Sequence, residues 1–424
     1  MVRSHKMSTY EVLGREPVHP FPARMAPGIA LEVVVDGARQ LRVLDPMMGS
    51  GTVLALARSK GHRAVGVDID PLAVLISRVW TTKVDPEAVR DKAREVLHRA
   101  RRAFTCLAIR DAYPRHADNE TRAFVAYWFD GDARRQLAAL AGVIRGIRDK
   151  TIRDALWCAF SRLIIAKTSG ASRAMDLSHS RPHRVFARAP AKPFRHFLTA
   201  VNRVVDNCID ESSRTRGPAT CIHEGDARAL PLRDASIDLV LTSPPYLNAI
   251  DYIRCSKFSL VWMGYSVGHL RRLRAASVGT EVGSGADGND PEIRRVIARL
   301  KLRPRLAPRE EAVLVRYVED MWRALREVAR VLVPGGKAVY VVGENTVRGT
   351  YIRNSVIVEE VAQLCGLELE ERCVRRLPAN RRYLPPPSLS GRPAALDGRM
   401  RREVVLAFRR PAARCGAKGG RARA

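Results

Sequence analysis

The stretch Leu41-Arg-Val-Leu-Asp45-Pro46-Met47-Met48-Gly49-Ser50-Gly51-Thr52 decides how this chain is read. A short apolar run ends on an acid, turns through small residues and gives way to Val53-Leu-Ala-Leu-Ala-Arg58, which has a helical pattern. Strand, glycine turn and helix in that order put the turn at the carboxyl end of a strand, where open α/β sheets take their ligands. The glycines let a ligand approach the backbone, and the first turn of the helix offers free amides. Such a turn suits a charged, sugar-bearing molecule. No Gly-Lys-Ser/Thr follows it, which excludes a P-loop.

Working outward, Arg63-Ala-Val-Gly-Val-Asp68 reads as a second strand ending in an acid, and Pro71-Leu-Ala-Val-Leu-Ile76 as the start of the next helix. This βαβα order implies parallel strands with right-handed crossovers. Asp68 stands where such folds place the acid that accepts hydrogen bonds from ribose hydroxyls. Further strands are predicted at Ala219-Thr-Cys-Ile-His223, at Ile237-Asp-Leu-Val-Leu-Thr242 and at Lys337-Ala-Val-Tyr-Val-Val342, the last after a turn at Pro334-Gly-Gly336. Leu367–Val374 and Glu403–Phe408 are predicted to close the sheet as an antiparallel pair. Asp226, just past the third strand, is placed to meet an adenine amino group. Asp45, Asp68 and Asp226 thus line one sheet edge.

A second motif, Ser243-Pro244-Pro245-Tyr246, follows the core-like run Ile237–Thr242, so it is not an exposed proline-rich recognition peptide. Ser243 and the Pro244 carbonyl can accept the two hydrogens of an amino group. Pro245 stiffens the loop and Tyr246 offers a face for stacking a planar base.

The chain has 424 residues, 46% of them hydrophobic, which is ample for a packed core. Its 73 Lys+Arg against 44 Asp+Glu give a net charge of +29, favouring a polyanionic partner. Residues 84–218 read as a helical, arginine-rich insertion between the core halves 1–83 and 219–410, with a mobile glycine-rich loop at about 266–308 and a disordered basic tail at 411–424. Hydroxyls interleaved with Arg173, Arg181 and Arg184 in the insertion, together with Arg381 and Arg382 later, suit phosphate contacts. The eight cysteines are scattered, so no zinc site and no disulfide framework is indicated. No signal-type or bilayer-spanning apolar segment is found, which makes the cytoplasm the expected compartment.

These residues resemble the S-adenosylmethionine-dependent amino-methyltransferase family, whose members methylate N4 of cytosine or N6 of adenine in DNA. Asp45 to Thr52 looks like the family's Asp-Pro-Phe-x-Gly-Ser-Gly-Thr cofactor motif, with Met47 in place of Phe. Ser243 to Tyr246 matches its (Asp/Asn/Ser)-Pro-Pro-Tyr catalytic motif. The resemblance implies an α/β, Rossmann-like class I methyltransferase fold with a mostly parallel seven-stranded sheet and a helical insertion. It implies S-adenosyl-L-methionine as cofactor, held by Asp45, Met47, Gly49, Gly51, Thr52, Asp68 and Asp226. Catalysis falls to Ser243, Pro244, Pro245 and Tyr246, and no metal is called for. His19-Pro-Phe-Pro-Ala-Arg-Met25 looks like the segment that folds over the methionine part of the cofactor.

Ser at position 243 is more similar to the cytosine-N4 members than to the adenine-N6 ones. The absence of a Pro-Cys nucleophile argues against attack on a ring carbon. DNA is the expected partner, whether the enzyme stands alone or pairs with a restriction enzyme. RNA base methylation and a non-catalytic DNA-binding role stay open at this point, as does the oligomeric state.

Overall fold

The structure is a computed structural model, and it describes residues 8–21, 25, 27–34, 39–166, 169–175, 177, 182–210, 217–247, 251–282, 290–303, 305–376 and 402–412. One sheet contains seven strands: β1 Arg42–Asp45, β2 Arg63–Asp68, β3 Cys221–Glu224, β4 Ile237–Thr242, β5 Leu332–Gly343, β6 Glu368–Arg376 and β7 Arg402–Arg409. Their spatial order is β6-β7-β5-β4-β1-β2-β3. β1 pairs in parallel with β2 and β4, β2 with β3, and β4 with β5, while β7 runs against both β5 and β6. This is a mostly parallel, Rossmann-like seven-stranded sheet, as expected from the sequence.

Alternation along the strands sends successive side chains to opposite faces. Val43, Leu239, Leu241, Val339 and Val341 pack with Val53, Leu54 and Leu56 of helix α1 (Thr52–Ser59) on one face. On the other, Leu44, Val240, Ala338, Tyr340 and Phe408 pack against helices further along the chain. From β1 the chain builds β2 and β3 on one side, then crosses to β4 on the other. The connections that leave the adjacent strands β1 and β4 therefore run to different parts of the fold, and between them lies the crevice where such sheets bind ligands.

Helix α2 (Pro71–Thr81) follows β2, with Pro71 in its first turn and Asp70 as its cap, the Leu72 amide donating to Asp70 Oδ1 at 2.9 Å. The helical segment from Pro86 to Val205 includes α3 (Asn119–Trp128) and α4 (Lys150–Ile164). Its buried residues form one continuous apolar cluster with α2 and with α5 (Tyr252–Met263), the helix after the second motif. The insertion thus leans directly on the machinery of the crevice.

Two expectations differ from the fold. Pro334-Gly-Gly336 does not precede its strand: β5 begins at Leu332, and the register jumps from Ile237↔Leu332 to Leu239↔Lys337, so these residues form a bulge with Gly335 at φ +76°. The stretch 266–308, read as a loop from its glycines, instead holds α6 (Val267–Ala276), capped by Ser266, and a helix at Pro291–Arg299 capped by Asp290. Asx and Ser caps outweigh the local glycine content there. Residues 283–289, with Gly283, Gly285 and Gly288, lie outside the described residues, as does the tail from 413.

Gly66 of β2 leaves room for the cofactor turn, because a Cβ there would collide with Met48 Sδ and Leu54 Cδ2. We expect Gly66→Ala to destabilise the chain by about 1–3 kcal/mol through overpacking. A denaturation midpoint equal to that of the unmodified chain would contradict this packing.

Candidate active site

Thr242, the last residue of β4, donates its hydroxyl to Asp45 Oδ1 at the end of β1 over 2.7 Å, and both side chains are buried. The Met47 amide donates to the same oxygen at 3.2 Å. The loops carrying the two sequence motifs are thereby tied side by side at the crevice.

The first loop is then braced from β2. Asp68 Oδ2 accepts from the Gly49 amide at 2.8 Å and its Oδ1 from the Asp70 amide at 2.9 Å. Ser77 of α2 donates to the Gly49 carbonyl at 2.9 Å. Gly49 and Gly51 lie at φ +49° and +81°, in the left-handed region that glycine adopts freely, and a Cβ on Gly51 would strike Ser77 Oγ at 2.7 Å. Thr52 is buried at the start of α1, and Met47 is half-buried. Asp226 reaches the same edge, since the Gly225 amide donates to the Asp68 carbonyl at 3.0 Å. Both Asp226 oxygens accept from Arg228, which also bridges to Asp320 and to the Ala276 carbonyl. Only the remaining lone pairs of Asp226 are left for a ligand.

Acids dominate this edge. Burial pushes the Asp45 carboxyl up to about 7, opposed by its bonds from Thr242 and Met47 and reinforced by Asp68. Burial likewise raises Asp68 to about 6, and burial with the Asp68 charge raises Asp70 to about 7. Phe21, from the His19–Met25 segment, lies against Gly49 and stacks on Tyr252 with ring centroids 5.7 Å apart and planes 3° from parallel. Residues 22–24 of that segment lie outside the described residues. An open glycine turn, aromatic walls and crowded carboxyls suit a ligand that carries ribose hydroxyls and a positive sulfonium, so S-adenosyl-L-methionine fits the residues present.

In the second loop, Ser243 donates its hydroxyl to the Val341 carbonyl of β5 at 3.0 Å. Its proton is thus engaged and its oxygen also meets the Tyr246 hydroxyl, which leaves one lone pair to accept. Tyr317 of α7 (Pro308–Val331) donates to the Pro245 carbonyl at 3.0 Å, and Asn345 donates to the Leu247 carbonyl. Among the described residues no hydrogen bond falls on the Pro244 carbonyl. Gly279 sits over the loop, where a Cβ would come within 3.2 Å of the Tyr246 carbonyl. Burial holds the Tyr246 hydroxyl well above its ordinary value, so it stays neutral.

Asp45, Met47, Gly49, Gly51, Thr52, Asp68, Asp226 and the Ser243–Tyr246 loop are therefore brought together. Arg173 and Arg184 are elsewhere, flanking a short hairpin of Ala174–Met175 and His183–Arg184 that rests on Tyr127 at the end of α3. Arg181, Arg381 and Arg382 lie outside the described residues. Sequence reasoning assigned no role to Thr242, Tyr252, Arg228 or Tyr317. Thr242 had a signal in its position at the end of a strand. The other three are recruited by tertiary contacts.

No protein-family model matches the chain. It is 24% identical to the Type II methyltransferase M.MvaI of Kocuria varians over 86% of this chain and 84% of that one. M.MjaII of Methanocaldococcus jannaschii is 22% identical over 59% of this chain and 62% of its own, and M.BsoBI of Geobacillus stearothermophilus 22% over 66% and 59%. The chain spans less than two thirds of the latter two. The chain is thus similar to Type II methyltransferases, over most of its length in the case of M.MvaI. The glycine turn and Asp68 are the residues here that would hold S-adenosyl-L-methionine. Among the described residues, no helix is long and apolar enough to cross a membrane.

Because the site's carboxyls titrate near 6 to 7, a cationic ligand that favours their charged forms must displace protons. Calorimetry of cofactor binding at pH 6.5, in buffers of different ionisation enthalpy, should show net proton release that fades by pH 8.5, where the acids are already ionised. Proton uptake at pH 6.5 would contradict the electrostatics described.

Proposed function

We propose that this chain transfers a methyl group to an exocyclic amino group of a DNA base, N4 of cytosine in preference to N6 of adenine. The observation that carries the reading is the buried Thr242–Asp45 hydrogen bond, which sets an amine-accepting loop beside a cofactor-type turn. S-adenosyl-L-methionine, when bound, supplies an electrophilic methyl on a sulfonium.

The protein's task is to make a poor nucleophile competent, since the amino lone pair is delocalised into the base ring. Ser243 Oγ, its proton committed to Val341, accepts one amino hydrogen, and the Pro244 carbonyl accepts the other. Drawing both hydrogens to fixed acceptors favours a pyramidal nitrogen whose lone pair projects from the ring. The acceptors are pre-positioned by the Tyr317 bond to Pro245 and the Asn345 bond to Leu247, so little reorganisation is left for the reaction. Tyr246 stacks on the base and offsets part of the cost of swinging it out of a duplex, roughly a few kcal/mol. Serine at position 243 supports cytosine as the target. Asp45, Met47, Gly49, Gly51, Thr52, Asp68 and Asp226 are assigned to the cofactor. The resemblance to Type II methyltransferases supports DNA as the polymer.

Incubation with methyl-labelled cofactor and either DNA or RNA, followed by nucleoside analysis, should yield N4-methylcytosine from DNA. Label in RNA alone would overturn the reading. Ser243→Ala and Tyr246→Ala should each lower turnover by about 10²-fold with cofactor affinity nearly unchanged, whereas Asp68→Ala should chiefly weaken cofactor binding. Equal loss of cofactor binding in all three variants would contradict these roles.

A further inference from the structure

Basic residues cluster where α5 leaves the catalytic loop. Asp251 caps α5, its Oδ1 accepting from the Arg254 amide at 3.0 Å. Its Oδ2 is shared by Arg254 Nη2 at 3.2 Å and by Arg274 Nε, which reaches across from α6. One turn further along α5, Lys257 Nζ lies 4.9 Å from the centroid of the Phe124 ring, on α3. Lys257 has no salt-bridge partner among the described residues. Two cations thus share one carboxylate, with a third, half-buried Lys257, close by. Burial and the neighbouring Arg274 charge lower the pKa of its ammonium, opposed by Asp251. A half-buried ammonium whose nearest opposite charge, Asp251, is already engaged by two arginines gains from an added anion.

Aromatic surface continues from this point. Phe124 contacts Trp128 at 6.4 Å between centroids, and Trp128 contacts Tyr127 at 5.0 Å. Tyr127 is 51% exposed and carries the Arg184 guanidinium 5.1 Å above its ring. Phe124 and Trp128 are half-buried and Tyr127 is exposed, and cations beside such rings offer a nucleic acid strand charge for its phosphates and, at Tyr127, a plane for a base.

We propose that Arg254, Lys257 and Arg274 clamp a backbone phosphate of the DNA strand that presents the target base, and that this strand runs on past Phe124 to Tyr127 and Arg184. The proposal rests on the DNA reading above and adds a path to it. The phosphate completes a site that has an excess of positive charge, at the start of the helix that follows the catalytic loop in sequence.

The test is binding of the full chain to a fluorescent DNA duplex at a series of salt concentrations. Lys257→Gln and Arg254→Gln should each reduce the slope of log affinity against log salt, by up to about 0.9, the value for one whole phosphate contact, and raise KM for DNA. Lys257→Arg should restore the slope. Arg101→Gln, an equal charge change at an exposed position outside the track, should leave it unaltered. Unchanged cofactor affinity in each variant shows that the fold is intact. Slopes unchanged in Lys257→Gln and Arg254→Gln, or lost equally in Arg101→Gln, overturn the clamp even if the chain methylates DNA. Conversely, slopes that fall as expected in a chain that methylates nothing support the clamp while the catalytic reading fails.

Discussion

A single buried hydrogen bond, from Thr242 to Asp45 across 197 residues of sequence, joins the two halves of the chemistry. It exists because the sheet reverses its direction of growth at β1, so that β4 becomes the neighbour of β1 although the whole helical segment lies between them in sequence. Parallel pairing then brings both carboxyl ends to the same rim. In a water-poor setting such a bond is stronger than at the surface, and leaving Asp45 without it would strand a buried carboxyl. The relative position of turn and catalytic loop is therefore fixed by the core and not by the loops themselves.

The same rim is electrostatically strained in the free protein. Asp45, Asp68 and Asp70 crowd together, and burial holds them partly protonated near neutrality. At the start of α5 the balance reverses, with Arg254 and Arg274 on Asp251 and Lys257 one turn further along. A cationic cofactor and an anionic polymer would each relieve one of these imbalances. Opposite charge on either side of the catalytic loop thus separates two ligands that must meet at one point.

Much of this was legible in the residues. β1, β2, β4, β5 and β7 declared themselves because each is a largely buried β-branched or aliphatic run, and β1 and β2 end on acids whose carboxylates then organise the turn. Asp68 was found from its place at a strand end, and Ser243 from the proline pair beside it. What escaped the reading depends on distant partners. Nothing near Arg228 announces that it will span Asp226, Asp320 and the end of α6, and nothing near Phe21 announces a stack on Tyr252. The bulge at Pro334–Gly336 looks like a turn locally and is drawn into the sheet by pairing with β4. The helices inside 266–308 were obscured because glycine content was weighed above the caps at Ser266 and Asp290. The surface patch around Tyr127 gave only a basic composition, since its aromatic members come from another helix.

The most direct measurement is a crystal structure of the chain with bound cofactor and a DNA duplex containing its target. The transferable methyl should lie within about 3.5 Å of an exocyclic base nitrogen, with that nitrogen hydrogen-bonded to Ser243 and the ribose hydroxyls on Asp68. A cofactor bound at any other edge of the sheet, or a base nitrogen that approaches the methyl without contacting Ser243 or Pro244, would contradict the central claim.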